Sequence, residues 1–304
     1  MKAFAPGKML LSGAYAVLHG APAVVLAVSR GAVADTRKTA DHVSDELRAA
    51  LSATTGVTAN PPHVSVAALF EDGKKLGLGA SAAGLVAALG ALARQRHDDV
   101  RSPELRAEIF AAARAAHASA QSGGSGVDVA ASVHGGLLSY TLTDGAAQIE
   151  PLAYPEKLVV EAFFSGRSAS TKDMRARVDA LATRDPARFA ALMAELSRDA
   201  SSARAAVVAS DVSGFMGAVR GQLFGLFALG READAPIVLP AFMELDGLAQ
   251  TTGGVFTGSG AGGGDVALYM GQRASSQALR DRARELGLSP FVFERDALGL
   301  RSID

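Results

Sequence analysis

The chain has 304 residues, and its 30 lysines and arginines almost balance its 31 aspartates and glutamates. This length allows a substantial core and two domains, and the near-zero charge gives no field to attract nucleic acid or an anionic membrane. The absence of cysteine excludes disulfides, thiol nucleophiles and thiolate metal sites. No secretory leader is expected, because Pro6, Gly7 and Lys8 interrupt the first apolar residues. We therefore expect a cytoplasmic protein that acts on a small molecule, without nucleic-acid or membrane partners.

The first half of the chain mixes predicted strands and helices. Apolar alternation and β-branched residues predict strands around Phe4 and over Ala23–Val28, His63–Phe70 and Leu137–Leu142. The uncharged stretch Leu76–Ala93 is about as long as a membrane span, but its glycines and alanines favour a loop and a buried helix that starts near Ala82. Ser102 can cap a further helix, which begins at Pro103 and runs toward Gln121.

The second half is predicted to contain more helix than strand. The helical runs are Thr171–Leu181, Pro186–Ser197 and Val212–Leu229, and the strands are Lys157–Phe164, Val266–Met270 and Phe291–Phe293. We expect the hinge between the two halves at Tyr154–Glu156. Phe215, Phe224 and Phe227 have a core-like spacing on their helix, so we interpret all three as packing residues.

The most informative segment is Leu76–Leu89, LGLGASAAGLVAAL, in which glycines and small residues lead directly into a helix-forming run. A helix N-terminus carries unpaired backbone N–H groups and a partial positive charge, so it attracts anions. Gly77 and Gly79 have no Cβ and would let a phosphate approach the backbone. Turns of this kind also occur for purely structural reasons, so the segment alone leaves both interpretations open.

Two further segments extend the pattern. Ala5–Gly20 reads APGKMLLSGAYAVLHG, and Thr257–Tyr269 reads TGSGAGGGDVALY. With the loop between them, they resemble the signature of the GHMP kinase superfamily, which includes galactokinase, homoserine kinase, mevalonate kinase and phosphomevalonate kinase. The resemblance implies a two-domain α+β GHMP kinase fold. Its N-terminal half, ribosomal protein S5 domain 2-like, would cover residues 1–155, and its C-terminal half, ferredoxin-like, residues 156–304.

The resemblance also implies a nucleotide site in the glycine-rich loop. The residues expected to bind ATP are Gly77, Leu78, Gly79, Ala80, Ser81 and Ala82. Ser81 is further expected to contact Mg²⁺ or the β-phosphate. ATP and Mg²⁺ are therefore the expected cofactors.

Lys8 and Asp128 are the candidate catalytic residues. Lys8 precedes an apolar run, where an unpaired ammonium is costly, so it should point into a polar site; the alternative is a surface lysine whose stem packs on apolar residues. Asp128 follows the glycine turn Ser122–Gly126, where the ordinary role of aspartate is a helix N-cap. The resemblance implies instead that Asp128 accepts or orients the substrate proton, while Lys8 lowers the pKa of Asp128 and stabilises developing charge.

Three segments are similar to one branch of the superfamily, the phosphomevalonate kinases. They are Gln121–Gly136 with His117 before it, Ser165–Met174 with its AST triplet, and Ser259–Asp265, a glycine run that ends in aspartate. Mevalonate kinases tend to carry a metal-binding glutamate near the position of His117. A helix start at Ser170 and Thr171, with Arg167 and Lys172 beside it, would suit a substrate phosphate. The residues expected to bind a phosphorylated mevalonate are Ser125, Gly126, Arg167, Ser170, Thr171, Lys172, Ser259, Gly260, Ala261, Gly262, Gly263 and Asp265.

Two positions depart from the family pattern. The glutamate of its first motif is Ala14 here, which removes a carboxylate from the edge of the site, and the first serine of its phosphate loop is Ala80. The histidines show no metal-ligand spacing. The leading hypothesis is an ATP- and Mg²⁺-dependent kinase, monomeric or homodimeric, that makes 5-diphosphomevalonate from (R)-5-phosphomevalonate. A mevalonate kinase, another small-alcohol kinase and a ligand-binding paralogue without turnover are alternatives; the AST segment with Lys8 argues against a related ATP-dependent decarboxylase.

Overall fold

The computed structural model describes residues 1–40, 42–53, 60–120, 123–167 and 171–303. Its strands are β1 (Lys2–Ser12), β2 (Ala23–Thr39), β3 (Pro62–Ser65), β4 (Phe70–Glu71), β5 (Lys74–Lys75), β6 (Leu137–Thr143), β7 (Ala146–Leu152), β8 (Val159–Phe164), β9 (Val255–Gly258), β10 (Val266–Gly271), β11 (Ser289–Phe291) and β12 (Arg301–Ser302). Its helices are α1 (Asp45–Ala53), α2 (Ala80–Gln95), α3 (Pro103–Ala120), α4 (Val127–His134), α5 (Thr171–Arg184), α6 (Pro186–Val208), α7 (Val212–Glu232), α8 (Pro240–Gln250) and α9 (Gln277–Glu285). Short 3-10 helices cover Ala16–His19 and Ala67–Leu69.

The chain folds into two units, each assembled from separate segments. The first unit comprises residues 1–9, 25–137 and 294–304, and the second comprises residues 10–24 and 138–293. Both units mix helices and strands, as the α+β fold class predicts. The domain boundary predicted between residues 155 and 156 stays a prediction; it lies inside the longer segment of the second unit.

In the first unit, β1 has a neighbouring strand along each edge. It pairs with β12 and with β2, and β3 pairs antiparallel with β2, so that Val33 lies opposite Ser65. The prediction of one continuous strand over His63–Phe70 is wrong, because β3 ends at Ser65. The chain turns there to bury Leu69 and then forms the short β4–β5 hairpin.

Helix α2 has more buried residues than any other described helix of the first unit. Most of its 16 residues are buried, and they are mainly alanine, glycine and leucine. Their small volume lets α1, α3 and α4 pack closely against α2. The interpretation of Leu76–Ala93 as a loop and a buried helix is confirmed, although the helix begins slightly earlier than expected, at Ala80. Helix α3 begins at Pro103 as predicted, and the Leu105 N–H donates to Ser102 Oγ at 3.1 Å.

The second unit contains a four-stranded antiparallel sheet in the order β11-β8-β10-β9. The chain leaves β8 through α5–α8, returns at β9, turns directly into β10 and reaches β11 through α9. This β-α-β-β-α-β connection is the ferredoxin-like arrangement. The prediction of a ferredoxin-like C-terminal half is therefore confirmed.

The helices of the second unit cover an aromatic core. Phe163, Phe242 and Phe256 are fully buried there and pack ring against ring. The packing prediction is right for Phe215, which is buried, and wrong for Phe224, which is 52% exposed. Phe224 is two residues away from both Gln222 and Leu226 of the buried stripe of α7, so it lies on the opposite face of the helix.

A buried ion pair joins α7 and α8 to the start of β9. The Arg220 guanidinium donates to both carboxylate oxygens of Asp246, at 3.0 and 3.2 Å, and the Phe256 N–H donates to Oδ1 of the same aspartate at 3.0 Å. Arg220 also donates to the Gly254 carbonyl. Removing either charged partner would leave the other largely buried without its counter-charge, which typically costs about 3–5 kcal/mol.

Within the described part of the chain, one helix has the length and apolar composition that could span a membrane. This helix is α7, and half of its most apolar window is buried inside the protein.

Candidate active site

The glycine-rich loop ends at the N-terminus of α2. Gly79 is the N-cap and has a left-handed backbone, with φ of 78°. A Cβ at this position would lie 3.3 Å from two carbons of the Lys8 side chain and 3.4 Å from Asp128 Oδ2. The first backbone N–H groups of α2 lack acceptors within the helix. The loop thus combines N–H donors with a space that only glycine leaves open beside two charged side chains.

Lys8 and Asp128 form an ion pair next to this loop. Lys8 Nζ lies 3.5 Å from Asp128 Oδ1, and the side chains are 8% and 29% exposed. The Lys8 N–H donates to the Leu78 carbonyl at 2.9 Å, which ties β1 to the loop. Helix α4 is held against β1 by the buried Ser132 hydroxyl, which donates to the Pro6 carbonyl at 2.8 Å. These two hydrogen bonds hold β1, which carries Lys8, against the loop and against α4, which carries Asp128.

Asp128 is not a helix N-cap. That position belongs to Gly126, which has φ of 85° and no side chain of its own to cap the helix. Ser125 lies just before the helix and accepts a hydrogen bond from the Val127 N–H at 3.3 Å. The predicted substrate residues Ser125 and Gly126 thus adjoin the candidate catalytic aspartate.

Ser81, the expected metal ligand, contacts a carboxylate. It is in the first turn of α2, and its hydroxyl donates to Glu46 Oε1 at 2.5 Å. Glu46 is in the first turn of α1 and is partly buried.

In the second unit, the glycine cluster Ser259–Asp265 is held by two contacts with the segment that follows Met9. Ser259 Oγ accepts from the Leu10 N–H at 2.9 Å, and the Tyr15 hydroxyl donates to the Ala261 carbonyl at 2.7 Å. The cluster also packs on Ile237, whose carbonyl oxygen would lie 2.1 Å from a Cβ at Gly262. The position of the cluster is therefore set by its neighbours.

The end of this cluster meets the segment before α5. The Asp265 N–H donates to the Arg167 carbonyl at 2.8 Å, and the Ser165 N–H donates to the Asp265 carbonyl at 2.9 Å. The structure thus brings together two segments predicted to bind substrate. Arg167, Thr171 and Lys172 are exposed around the start of α5. Ser170, which was predicted to bind substrate, lies outside the described residues. So does Gln121, which begins the segment Gln121–Gly136 that is similar to phosphomevalonate kinases.

Sequence reasoning missed Gln222, a buried amide on α7. Its Oε1 accepts from the Gly13 N–H at 2.7 Å, and its Nε2 donates to Ser12 Oγ at 2.9 Å. Gln222 lines a small crevice together with Ser12, Ala14 and Thr257. The sequence feature that could have identified Gln222 is an amide side chain among the apolar residues on the buried face of α7.

Tyr15 and Arg175 were also missed. Tyr15 has an uncommon left-handed φ of 61°, and burial raises the pKa of its hydroxyl far above the usual value. The positive charge of Arg175 opposes this rise in pKa. The buried Nε of Arg175 has no hydrogen-bond partner within the described ranges. The strained backbone of Tyr15 and the burial of the Arg175 Nε both depend on tertiary contacts, which a sequence pattern does not display.

Comparison with known protein families shows which family part of this sequence matches. Residues 38–136 match the model of the GHMP kinases N terminal domain. This part of the chain is a GHMP kinase N-terminal domain. The match contains the glycine-rich loop and Asp128, whereas Lys8 precedes it. The resemblance inferred from the three motifs is thereby confirmed.

Individual proteins similar to this chain point to the same family. The phosphomevalonate kinase of Streptomyces sp. (strain CL190) is 27% identical over 247 residues, which are 73% of this chain and 65% of that protein. The chain thus spans less than two thirds of this relative's length. The Streptococcus pneumoniae phosphomevalonate kinase in complex with phosphomevalonate and AMPPNP has a TM-score of 0.77 at 19% identity, covering 97% of this chain and 99% of that one. The L. major mevalonate kinase in complex with R-mevalonate has a TM-score of 0.68 at 20% identity, covering 98% and 95%. These similarities confirm the GHMP kinase fold.

The candidate site contains groups that suit a nucleotide and Mg²⁺. The space left open at Gly79, beside Lys8, fits a phosphate, and the Ser81 hydroxyl with the Glu46 carboxylate is a hard-oxygen donor set of the kind Mg²⁺ prefers. The described residues contain no group of three His, Cys, Asp or Glu side chains that could hold a metal by themselves. A Mg²⁺ ion here would need phosphate oxygens and waters as its remaining ligands, which is its usual mode in nucleotide sites.

Proposed function

We propose that the protein is an ATP- and Mg²⁺-dependent kinase that converts (R)-5-phosphomevalonate to 5-diphosphomevalonate in the mevalonate route to isoprenoids. The observation that carries the proposal is the Lys8–Asp128 pair at 3.5 Å beside Gly79 and the N-terminus of α2. Phosphoryl transfer needs positioned phosphates and stabilised negative charge more than it needs covalent chemistry. A buried ammonium beside backbone N–H donors supplies both.

Each group has a role in this proposal. Backbone N–H groups of residues 77–82 hold the phosphates of ATP, and Lys8 Nζ stabilises the charge that develops on the transferred phosphoryl group. Asp128 keeps Lys8 oriented. Mg²⁺, held through Ser81, would neutralise charge on the β- and γ-phosphates.

The residues that we propose to bind the phosphoryl acceptor, 5-phosphomevalonate, are in the second unit. A 5-phosphate carries nearly two negative charges near pH 7, because its second pKa is about 6. Arg167, Lys172 and the Thr171 helix start offer cations and N–H donors for it, and Arg175 is an additional cation whose Nε has no hydrogen-bond partner in the described part of the chain. The name of the Streptomyces relative supports the same acceptor.

One observation favours a second candidate, a kinase for mevalonate or another small alcohol. An alcohol must lose a proton as it attacks, and Asp128 is a carboxylate held in the site. The attacking oxygen of 5-phosphomevalonate is already ionised near neutral pH and needs little help from a base. The two acceptors therefore make different demands on Asp128.

The decisive experiment measures ADP release with 5-phosphomevalonate and with mevalonate under identical conditions, with phosphorus NMR of the products. The proposal expects kcat/KM for 5-phosphomevalonate to exceed that for mevalonate and a diphosphate product. Preference for mevalonate would establish the second candidate. Release of carbon dioxide would indicate the decarboxylase, and ATP binding without turnover would indicate a ligand-binding paralogue. The Lys8→Met variant, purified identically, controls for contaminating kinases.

The remaining expectations are part of the proposal. We infer a cytoplasmic protein, monomeric or homodimeric, whose partners are ATP and a phosphorylated mevalonate rather than nucleic acid or membrane. The near-balanced charge of the sequence supports this inference.

A further inference from the structure

Glu46 is a carboxylate at the place where the proposed function requires phosphate. Its Oε1 accepts a hydrogen bond of 2.5 Å from Ser81 Oγ, and Ser81 is in the first turn of α2, whose N–H groups face the proposed triphosphate. A carboxylate and a polyphosphate repel each other at such short range. The two can share this region when a cation lies between them.

The donor atoms around Ser81 match one particular cation. Mg²⁺ takes oxygen ligands, typically one or two carboxylates together with substrate phosphates and waters. Position 14 is alanine and position 117 is histidine, so neither residue offers a carboxylate. Glu46 reaches the loop from a different element, α1.

We propose that Glu46 is the carboxylate ligand of the Mg²⁺ that accompanies ATP, with the Ser81 hydroxyl as its neighbouring ligand. The inference rests on the proposed function for the presence of ATP. In the free protein, the Ser81 hydroxyl donates its proton to Glu46. In the loaded site, an oxygen of each side chain faces the cation, and the serine keeps its proton.

A purely structural role for Glu46 has different consequences. A hydrogen bond that only fastened α1 to α2 would contribute to stability, and its loss would not change how much ATP affinity depends on metal. A metal ligand makes two opposite contributions to ATP binding. It repels ATP when metal is absent and attracts the MgATP complex.

The test compares Glu46→Gln with Asp45→Asn, an equal change of charge at the adjacent position. Asp45 is exposed in the same turn of α1. Calorimetry measures the affinity for ATP without metal, in EDTA, and with Mg²⁺. Electron paramagnetic resonance of Mn²⁺, used in place of Mg²⁺, measures how much metal is bound in the ATP complex. We expect Glu46→Gln to bind metal-free ATP several-fold more tightly than the wild type and to lose about tenfold of the affinity gained from Mg²⁺. Asp45→Asn should keep the wild-type ratio of the two affinities.

Ser81→Ala provides a second variant, in case Glu46→Gln fails to fold. It should also lose part of the Mg²⁺-dependent gain, but it should bind metal-free ATP no more tightly than the wild type, because the carboxylate remains. An unchanged ratio of affinities in Glu46→Gln, or in Ser81→Ala if only that variant folds, overturns the assignment. No readout uses the acceptor, so failure of phosphomevalonate as substrate leaves the result intact. Absence of ATP binding by the wild type would overturn both the assignment and the proposed function.

Discussion

The two units hold their candidate functional charges in different ways. In the first unit, Lys8 and Asp128 are 8% and 29% exposed, and hydrogen bonds from the Lys8 N–H and the Ser132 hydroxyl hold β1 to the loop and to α4. In the second unit, Arg167 and Lys172 are exposed, and their side chains form no ion pair within the described ranges. The first pair is organised before any ligand binds, whereas the second would become ordered only on a substrate. Changes to the first should therefore affect the chemical step strongly, and changes to the second should affect substrate affinity mildly.

The strongest test of this contrast removes the buried charges. Lys8→Met should lower kcat by about 10²–10³, the usual loss for one preorganised group that stabilises transition-state charge. Asp128→Asn should lower kcat by about 10²–10⁴ if the aspartate acts as a base. A loss well below that range with 5-phosphomevalonate would assign Asp128 to the positioning of Lys8. Measurements of kcat with saturating substrates provide the readout, and Lys75→Met, an exposed lysine of the same unit, is the control. Near-wild-type rates in both variants would end the proposed mechanism.

A smaller effect is expected from filling the space at Gly79. Gly79→Ala should weaken ATP binding about tenfold or more, because its Cβ would lie 3.3 Å from Lys8 and close to the phosphate path. Gly73→Ala is a matched control: its φ is 74°, against 78° for Gly79, and a Cβ there would meet nothing within 4 Å. Both variants should lose similar stability in urea, since both place alanine in the left-handed region. Equal ATP affinities, measured by calorimetry, would contradict a nucleotide site at this loop.

The exposed cations of the second unit should show the milder behaviour. Arg167→Ala and Lys172→Ala should each raise the KM for 5-phosphomevalonate while leaving the KM for ATP nearly unchanged. A charge-assisted contact is worth about 1.5–3 kcal/mol, or roughly ten- to a hundredfold, and exposure places these two at the lower end. Lys157→Ala, another exposed lysine, serves as the control. If both KM values stay at their wild-type levels in both variants, the substrate phosphate binds elsewhere, and Arg175→Met becomes the informative variant.

The smallest expected effect concerns pH. Burial lowers the pKa of His134 on α4 below 6.5, and the charge of Arg106 lowers it further. The unfolded chain therefore binds more protons than the folded protein once the pH falls below about 6.5, so acid should destabilise the fold. The free energy of unfolding should decrease less between pH 7 and 5 in His134→Gln than in the wild type. His42→Gln changes an exposed histidine and should follow the wild type. Identical pH dependence in His134→Gln and the wild type would exclude this contribution.

The parts of the fold that the sequence predicted are those with strong local signals. The loop at Gly77 and Gly79 and the helix after it follow from glycine geometry and apolar composition. The sequence Ser102–Pro103 also predicted the start of α3, with Ser102 as its cap. Helices α8 and α9 were missed although each had a start signal. Pro240 is at the first position of α8, and Ser276 caps α9 through the Leu279 N–H.

The missed site residues have a different cause. Glu46 reaches Ser81 across 35 positions of sequence, and Gln222 reaches Gly13 across 209. Such pairs are formed by tertiary packing, and no periodicity of the chain encodes them. The exposure of Phe224 has another cause: nine positions separate it from Phe215, which places the two side chains on opposite faces of α7, so the spacing did not support packing for both.

The segmented composition of the first unit has a consequence for its synthesis. Residues 294–304 belong to this unit, and they are translated only after residues 138–293 of the other unit. Until then β1 lacks its pairing with β12, and Arg106 lacks the Leu298 and Leu300 carbonyls to which it donates, each at 2.9 Å. During translation, the edge of β1 that pairs with β12 therefore stays open while residues 138–293, more than half of the polypeptide, are made. Such an edge invites pairing with other chains, so protection by chaperones during translation should matter more than the final stability of the fold.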